Sequence, residues 1–135
     1  MNPYSKADQL YTYKKPTLAR RTEFTKKQRK EIDRIYGETC VVCMNPCVSY
    51  HHRKFRSQGG RNNPRNGAPL CEGCHRYVHE HPEAAEDLRQ EAIKRFGPYY
   101  YFDKYDCWKQ GLIDAPDNRK FETFMESEEL KASKL

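Results

Sequence analysis

The sequence contains no long hydrophobic run. No stretch of its 135 residues approaches the roughly 20 apolar residues that a transmembrane helix requires, and its first residues do not resemble a signal peptide. Internal repeats and low-complexity segments are also absent from the sequence. These absences exclude a membrane-spanning protein, and we expect a soluble cytoplasmic protein without a membrane partner.

Hydrophobic residues are few. They make up 36% of the sequence, against 33% for charged residues. A chain of this length forms one domain, and a domain with a modest apolar core is often reinforced by a bound metal ion. We therefore predict one small domain with extensions, stabilised in part by metal.

Acidic residues are few in the N-terminal part of the chain. Residues 1–36 contain ten Lys/Arg and four Asp/Glu, whereas residues 98–135 contain six and eight. The net charge of +6 suits a polyanionic partner such as DNA. The candidate DNA-binding residues lie in the N-terminal basic segment and in the middle of the chain: Lys26, Lys27, Lys30, Arg53, Lys54, Arg56, Arg61, Arg65 and Arg76.

Composition divides the chain into three parts. We predict a basic N-terminal arm and helix over residues 1–36, a core over residues 37–97, and an aromatic-rich packing segment with a polar acidic tail over residues 98–135. Residues 1–24 lack periodicity, and they either pack on the domain or follow a phosphate backbone. The last 20 residues form either a surface helix or a disordered tail.

Local signals predict the secondary structure of the core. Thr25-x-x-Gln28 is a capping-box pattern and Gly37 is a C-terminal stop, so a helix is expected between them. The other predicted elements are strands at 48–53 and 68–70 and helices at 72–79 and 81–96, the last ended by Gly97-Pro98.

Four cysteines form two C-x2-C pairs, Cys40/Cys43 and Cys71/Cys74. Without a secretion signal, such pairs more often bind zinc than form disulfides. Four thiolates make a closed tetrahedral site, which is structural. Cys47 competes with Cys43 as a ligand, because C-x3-C spacing is also allowed. Otherwise we expect Cys47, like Cys107, to be a small buried hydrophobic residue.

Four histidines lie around the second cysteine pair. His75 and His79 are four residues apart and share one face of a predicted helix, so both can bind one ion. His51 and His52 are neighbours, which on a regular strand point to opposite faces. Both can serve one site only at a strand end or a bulge.

Together these motifs resemble the HNH endonucleases, of the small zinc-knuckle type common in phages and bacteria. The resemblance covers residues 40 to about 86 and rests on HHRKFRSQGG and NGAPLCEGCHRYVHEHPEAA, which contain His52, Asn66 and His75 in order. It implies an α+β protein with a ββα-metal core stabilised by the four-cysteine zinc site and flanked by helical and aromatic-rich extensions. It also implies the cytoplasm of a bacterial or phage-infected cell.

The resemblance also implies the site residues. His52 would be the general base that activates water, and Asn66 would brace the hairpin loop and orient that base. Asn62 and Asn63 compete with Asn66, which is preferred because its spacing to Cys71 and His75 resembles that of the family. His51, His75 and His79 would bind the catalytic divalent ion, which would be Mg²⁺, Mn²⁺, Ni²⁺ or Zn²⁺. The implied substrate is double-stranded DNA.

Two other functions stay open at this stage. The first is a zinc-stabilised DNA-binding module without catalysis, although four cysteines already satisfy a structural zinc and leave the histidines unexplained. The second is a nuclease core that no longer cuts and instead blocks another macromolecule. RNA also stays open as a substrate.

Overall fold

The computed structural model describes residues 15–46 and 49–134. Cys47 and most of the predicted N-terminal arm lie outside them. The described helices are α1 (Leu18–Thr22), α2 (Lys26–Tyr36), α3 (Glu72–Glu80), α4 (Pro82–Phe96), α5 (Lys104–Lys109) and α6 (Asn118–Ser133). The strands are β1 (Ser49–His52) and β2 (Gly67–Leu70), and short 3-10 turns lie at Arg56–Gln58 and Pro64–Asn66. The predicted α+β class is confirmed.

Strands β1 and β2 form an antiparallel hairpin that α3 follows directly. Ser49 pairs with Leu70 and His52 pairs with Gly67. Every residue of β2 is buried, and Leu70 packs with residues of α3 and α4 in one apolar cluster. This hairpin and helix form the predicted ββα arrangement, which is therefore confirmed.

Helix α2 has the predicted boundaries. Thr25 and Gln28 form both hydrogen bonds of a capping box, and Gly37 ends the helix with a φ of 71°. Ile32 is fully buried, and a Cβ at Gly67 would lie 2.3 Å from its Cδ1 atom. A residue without a side chain at position 67 therefore lets α2 pack directly on the hairpin.

The C-terminal part of the chain forms a second apolar cluster. Trp108 and Met125 are almost completely buried there together with Cys107, which agrees with the expectation that Cys107 is a small buried hydrophobic residue. Helix α6 packs along α4. Of the two alternatives for the acidic tail, the helix is thus correct, and it is part of the packed structure.

Helices α1 and α5 were not predicted, and a buried ion pair joins them. The Arg21 guanidinium donates hydrogen bonds to the carboxylates of Asp103 and Asp106. Burial alone would raise the pKa of Asp103, but these bonds and the charge of Arg21 hold it below its ordinary value. No described helix is long and apolar enough to span a membrane.

We predict that Met125→Ala destabilises the protein much more than Leu130→Ala in the same helix. Met125 is fully buried and Leu130 is 59% exposed, so only the first change creates a cavity. Denaturant unfolding of zinc-loaded protein should show losses of about 2–5 kcal/mol for Met125→Ala and at most about 0.5 kcal/mol for Leu130→Ala. Equal losses would mean that α6 does not pack as described.

Candidate metal centres and catalytic site

The four predicted zinc ligands lie together. Each offers a sulfur atom within 4.8 Å of the others, and the sulfurs of Cys43 and Cys71 are 3.6 Å apart. Tetrahedral zinc with bonds of about 2.3 Å places its sulfur ligands about 3.8 Å from one another. The arrangement therefore fits one structural zinc ion.

The local backbone explains how the cysteines meet. Met44 has a φ of 69°, and its amide donates to the carbonyl of Cys40 at 3.0 Å, so the chain turns sharply around the first pair. The sulfur of Cys71 accepts from the amide of Cys74 at the start of α3.

The environment of Cys40 favours a thiolate. Burial raises the pKa of this thiol, but backbone N–H groups around it, including those of Cys43 and Cys71, lower the pKa to about 6. Zinc binds the thiolate form of cysteine, so these amides prepare Cys40 for the metal.

His51, His75 and His79, which we call the histidine trio, form the second cluster. One nitrogen of each ring lies within 4.8 Å of the others. The Nε2 atoms of His75 and His79 are 3.1 Å apart. His51 lies on β1 and the other two lie one turn apart on α3, so the packing of the helix on the hairpin brings the trio together.

The ring of His51 lacks a partner that a buried imidazole needs. It is 2% exposed, and its Nε2 atom has no hydrogen-bond partner among the described residues. A buried polar atom without a partner is costly. Burial, followed by the nearby His75 and His79, lowers the pKa of His51 to about 3. A neutral imidazole with a free lone pair is what a divalent ion binds, so the trio fits such an ion.

His52 points away from the trio, as the alternation of a strand requires. It is the last residue of β1. Its Nε2 atom lies 2.5 Å from the carbonyl oxygen of Thr22, and its ring stacks on Phe24 with 4.3 Å between the ring centres. The two neighbouring histidines therefore lie on opposite faces of β1, with His52 at its end, and the segment between α1 and α2 packs against His52.

The contact with Thr22 fixes the tautomer of His52. A carbonyl oxygen only accepts, so Nε2 carries the hydrogen and Nδ1 keeps a lone pair. Burial lowers the pKa of His52, the bond to Thr22 opposes this, and the charge of Arg56 adds to the lowering. The ring is therefore neutral near pH 7 and basic at Nδ1.

Asn66 closes the loop between the strands. It is fully buried. Its side-chain oxygen accepts from the amide of Lys54 at 2.8 Å, and its side-chain nitrogen donates to the carbonyls of Lys54 and Arg61. Gly60 is required here, because a Cβ would lie 1.7 Å from the oxygen of Lys54. Asn66 thus fixes the loop that leaves His52.

The competing asparagines have other partners. Asn62 donates to the carbonyls of Arg20 and Glu23, and Asn63 donates to the carbonyl of Phe102. Both connect the loop to the flanking segments.

Three of the predicted DNA-binding arginines are occupied inside the protein. Arg53 is 0% exposed, and it donates to the carbonyl of Leu88 and the hydroxyl of Tyr36, so its side chain is not accessible to DNA in this structure and we leave it out of the proposed DNA surface. Arg61 pairs with Asp106, and Arg65 pairs with glutamates of α6. Since their side chains are only 16% and 13% exposed, we leave Arg61 and Arg65 out of the proposed DNA surface.

The other predicted cations are more accessible. Lys26, Lys27 and Lys30 are exposed on α2. Arg56 is 51% exposed, within 3.6 Å of Glu23, and Arg76 is 68% exposed, beside Glu72. Lys54 is half-buried, with its ammonium over the ring of Tyr101. DNA contact by these six residues stays a prediction.

Sequence reasoning missed four residues next to the histidines. Ser49 and Phe55 contact the trio, and Thr22 and Phe24 contact His52. Ser49 precedes His51 by two residues and so shares its face of the strand, a signal that was available. Thr22 acts through its backbone carbonyl, which no residue type reveals.

Comparison with known proteins gives one finding. Residues 40–81 match the family model described as HNH endonuclease, which confirms the resemblance over these residues. They include both cysteine pairs, the trio, His52 and Asn66, and they make up less than a third of the chain. No curated protein and no solved structure matches the chain.

We predict that Cys43→Ser weakens zinc binding while Cys107→Ala does not. Cys43 is exposed and Cys107 is buried, so a loss specific to Cys43→Ser reflects the metal rather than packing. Competition with a chromophoric chelator should give lower zinc affinity for Cys43→Ser only, even if Cys107→Ala lowers the melting temperature by removing a buried side chain. Unchanged zinc affinity in this variant would exclude Cys43 as a ligand.

Proposed function

We propose that the protein is a metal-dependent endonuclease that hydrolyses phosphodiester bonds of double-stranded DNA. The match of residues 40–81 to the family model described as HNH endonuclease supports nuclease activity in general. The observation that carries the finer proposal is the buried Nε2 atom of His51, which has no hydrogen-bond partner in the described part of the chain and belongs to a ring that lies beside two other imidazoles. A four-cysteine zinc site alone leaves that atom unexplained.

The histidine trio would hold the divalent ion. When bound, such an ion supplies positive charge that stabilises the leaving oxygen of the scissile phosphate. An all-imidazole set suits Zn²⁺, Ni²⁺ or Mn²⁺ better than Mg²⁺, which prefers oxygen ligands. His75 and His79 would hold the ion from the helix and His51 from the strand, and the exposed side chain of His79 would leave the site open to water and phosphate.

His52 would act as the general base. Its Nδ1 lone pair accepts a proton from the attacking water, while the Thr22 carbonyl holds Nε2–H and therefore the ring orientation. The water oxygen would form a bond to phosphorus as the P–O3′ bond breaks, and O3′ would take a proton from solvent, which leaves a 5′-phosphate and a 3′-hydroxyl. Since His52 ends β1, we expect a phosphate lying across this strand end to approach both His52 and the trio.

The basic face of α2 would guide the DNA to this position. Thr22 and Phe24 contact His52 immediately before α2 begins, so Lys26 and Lys30 lie on the helix nearest the base. Arg56 donates to the hydroxyl of Thr22 at 3.4 Å and adds a cation to the same side. Exposed lysines and arginines of this kind bind phosphates without sequence preference.

A zinc-stabilised DNA-binding module without catalysis is the second candidate. The basic face of α2 and the four-cysteine site support it, and both would be present in such a protein. The two candidates differ in one result, because only the nuclease cleaves DNA when a divalent ion is added.

We predict that His52→Ala abolishes cleavage of supercoiled plasmid. Loss of a general base lowers the rate about 10²–10⁴-fold. His81→Ala is the matched control, because His81 stacks on Tyr77 and contacts no trio residue. Reactions with Mg²⁺, Mn²⁺, Ni²⁺ and Zn²⁺ should give nicked or linear product for wild type and His81→Ala only.

Circular dichroism of the same samples checks that the His52→Ala variant is folded. Undiminished cleavage by folded His52→Ala would rule out His52 as the base. A gel shift without cleavage by wild-type protein in any metal would favour the binding module.

We predict that Lys26→Glu/Lys30→Glu weakens DNA binding and reduces its salt dependence. Each lost phosphate contact lowers the slope of log K against log salt by about 0.9, so the double variant should lose about 2. Lys109→Glu/Lys134→Glu is the control, because it makes the same charge change at exposed residues elsewhere. Fluorescence anisotropy at several salt concentrations measures both quantities, and equal effects of the two pairs would reject a specific α2 surface.

A further inference from the structure

The outer nitrogen of His75 is held by a side chain that the predicted mechanism does not use. The hydroxyl oxygen of Ser49 lies 2.7 Å from Nδ1 of His75. The same hydroxyl donates to the carbonyl oxygen of Leu70 at 3.2 Å. Ser49 and Leu70 are paired residues of the two strands, so this contact is fixed by the register of the hairpin.

Two arrangements of the hydrogens fit these contacts, because a serine hydroxyl has one hydrogen. When that hydrogen goes to the Leu70 carbonyl, which can only accept, the oxygen of Ser49 accepts from Nδ1–H of His75. With its hydrogen on Nδ1, the imidazole presents its Nε2 lone pair to His79 and His51, which is the arrangement that a metal ligand requires.

His79, the other trio residue on α3, is held by a different kind of contact. Within residues 15–46 and 49–134, no hydrogen bond to Nδ1 of His79 is present, and its ring stacks on Phe55 with 5.8 Å between ring centres. Stacking restricts the plane of a ring but does not select a tautomer. Of these two contacts, only the hydrogen bond between Ser49 and His75 can select a tautomer.

We propose that Ser49 is a positioning residue that holds His75 as the Nδ1–H tautomer and thereby sets the metal affinity of the histidine trio. The inference rests on the metal site of the proposed function, and it adds a residue that binds neither metal nor DNA. It also connects the two metal centres, because the carbonyl that orients Ser49 belongs to Leu70, the residue before zinc-ligand candidate Cys71.

The test measures metal binding rather than cleavage. Protein whose four-cysteine site is loaded with zinc is titrated with Co²⁺, which does not displace zinc from such a site, and the visible spectrum of bound cobalt gives the dissociation constant. Ser49→Ala should bind cobalt about 10- to 100-fold more weakly than wild type. Ser49→Thr should bind like wild type, because it keeps the hydroxyl and suits a strand.

Two controls identify the site and the cause. His51→Ala should abolish the cobalt signal, which shows that the trio is the site measured. Ser127→Ala should leave it unchanged, because Ser127 donates to the Phe124 carbonyl in α6 and removing its hydroxyl affects no ligand. Long-range ¹H–¹⁵N spectra of the metal-free protein should show Nδ1–H for His75 in wild type and Ser49→Thr, and a mixture of tautomers in Ser49→Ala.

Unchanged cobalt affinity in Ser49→Ala would overturn the inference, as would equal weakening in Ser49→Thr or a cobalt signal that survives His51→Ala. Plasmid cleavage by wild-type protein tests the proposed function separately. A protein that cleaves DNA but is insensitive to Ser49→Ala refutes only the role of Ser49. A protein that fails to cleave while Ser49→Ala loses cobalt affinity refutes only the nuclease.

Discussion

Both metal centres depend on the packing of α3 against the β1–β2 hairpin. The start of the helix contributes Cys71 and Cys74, and the next turn contributes His75 and His79, so one short element carries two ligands of each site. A helix this short is marginal by itself. Zinc at the N-terminal end of α3 would hold the helix on the hairpin. Further along the helix, His75 and His79 lie beside the buried ring of His51, whose Nε2 atom has no hydrogen-bond partner among the described residues. A structural ion at the first site would therefore favour the geometry of the second site.

The flanking segments complete the site rather than merely covering it. The carbonyl of Thr22 and the ring of Phe24 lie outside the matched residues 40–81, yet they hold His52. Their own position depends on Arg21, which is tied to Asp103 in the C-terminal third. Breaking one partner of a buried ion pair leaves an uncompensated charge and is strongly destabilising. The orientation of His52 is therefore coupled to residues far beyond it in the chain.

The parts of the structure that could be predicted are those encoded locally. A capping box predicted the start of α2. The i, i+4 spacing of His75 and His79 predicted that both lie on one face of a helix. Because His51 and His52 are neighbours in the sequence, they were expected on opposite faces of one strand. Contacts between distant segments were not predictable in this way. The burial of Arg53 depends on α4 and Tyr36, and helix α6 was ambiguous because its apolar stripe, Phe121 and Met125, is narrow within an acidic sequence. Charge alone could not separate arginines inside the protein from cations outside it.

The burial of some arginines and the exposure of the α2 lysines have a physical cause, which bears on the proposed DNA surface. A chain with few apolar residues must fill part of its interior with other side chains, and arginine is suited to this because its planar, weakly hydrated guanidinium forms several directed bonds. Arg21, Arg53 and Arg61 are used in this way. Lysine, a strongly hydrated point charge, is costly to bury and stays exposed on α2. Part of the basic excess is therefore used for internal contacts by Arg21, Arg53 and Arg61. The exposed lysines of α2 and Arg56 are left as candidates for phosphate contact.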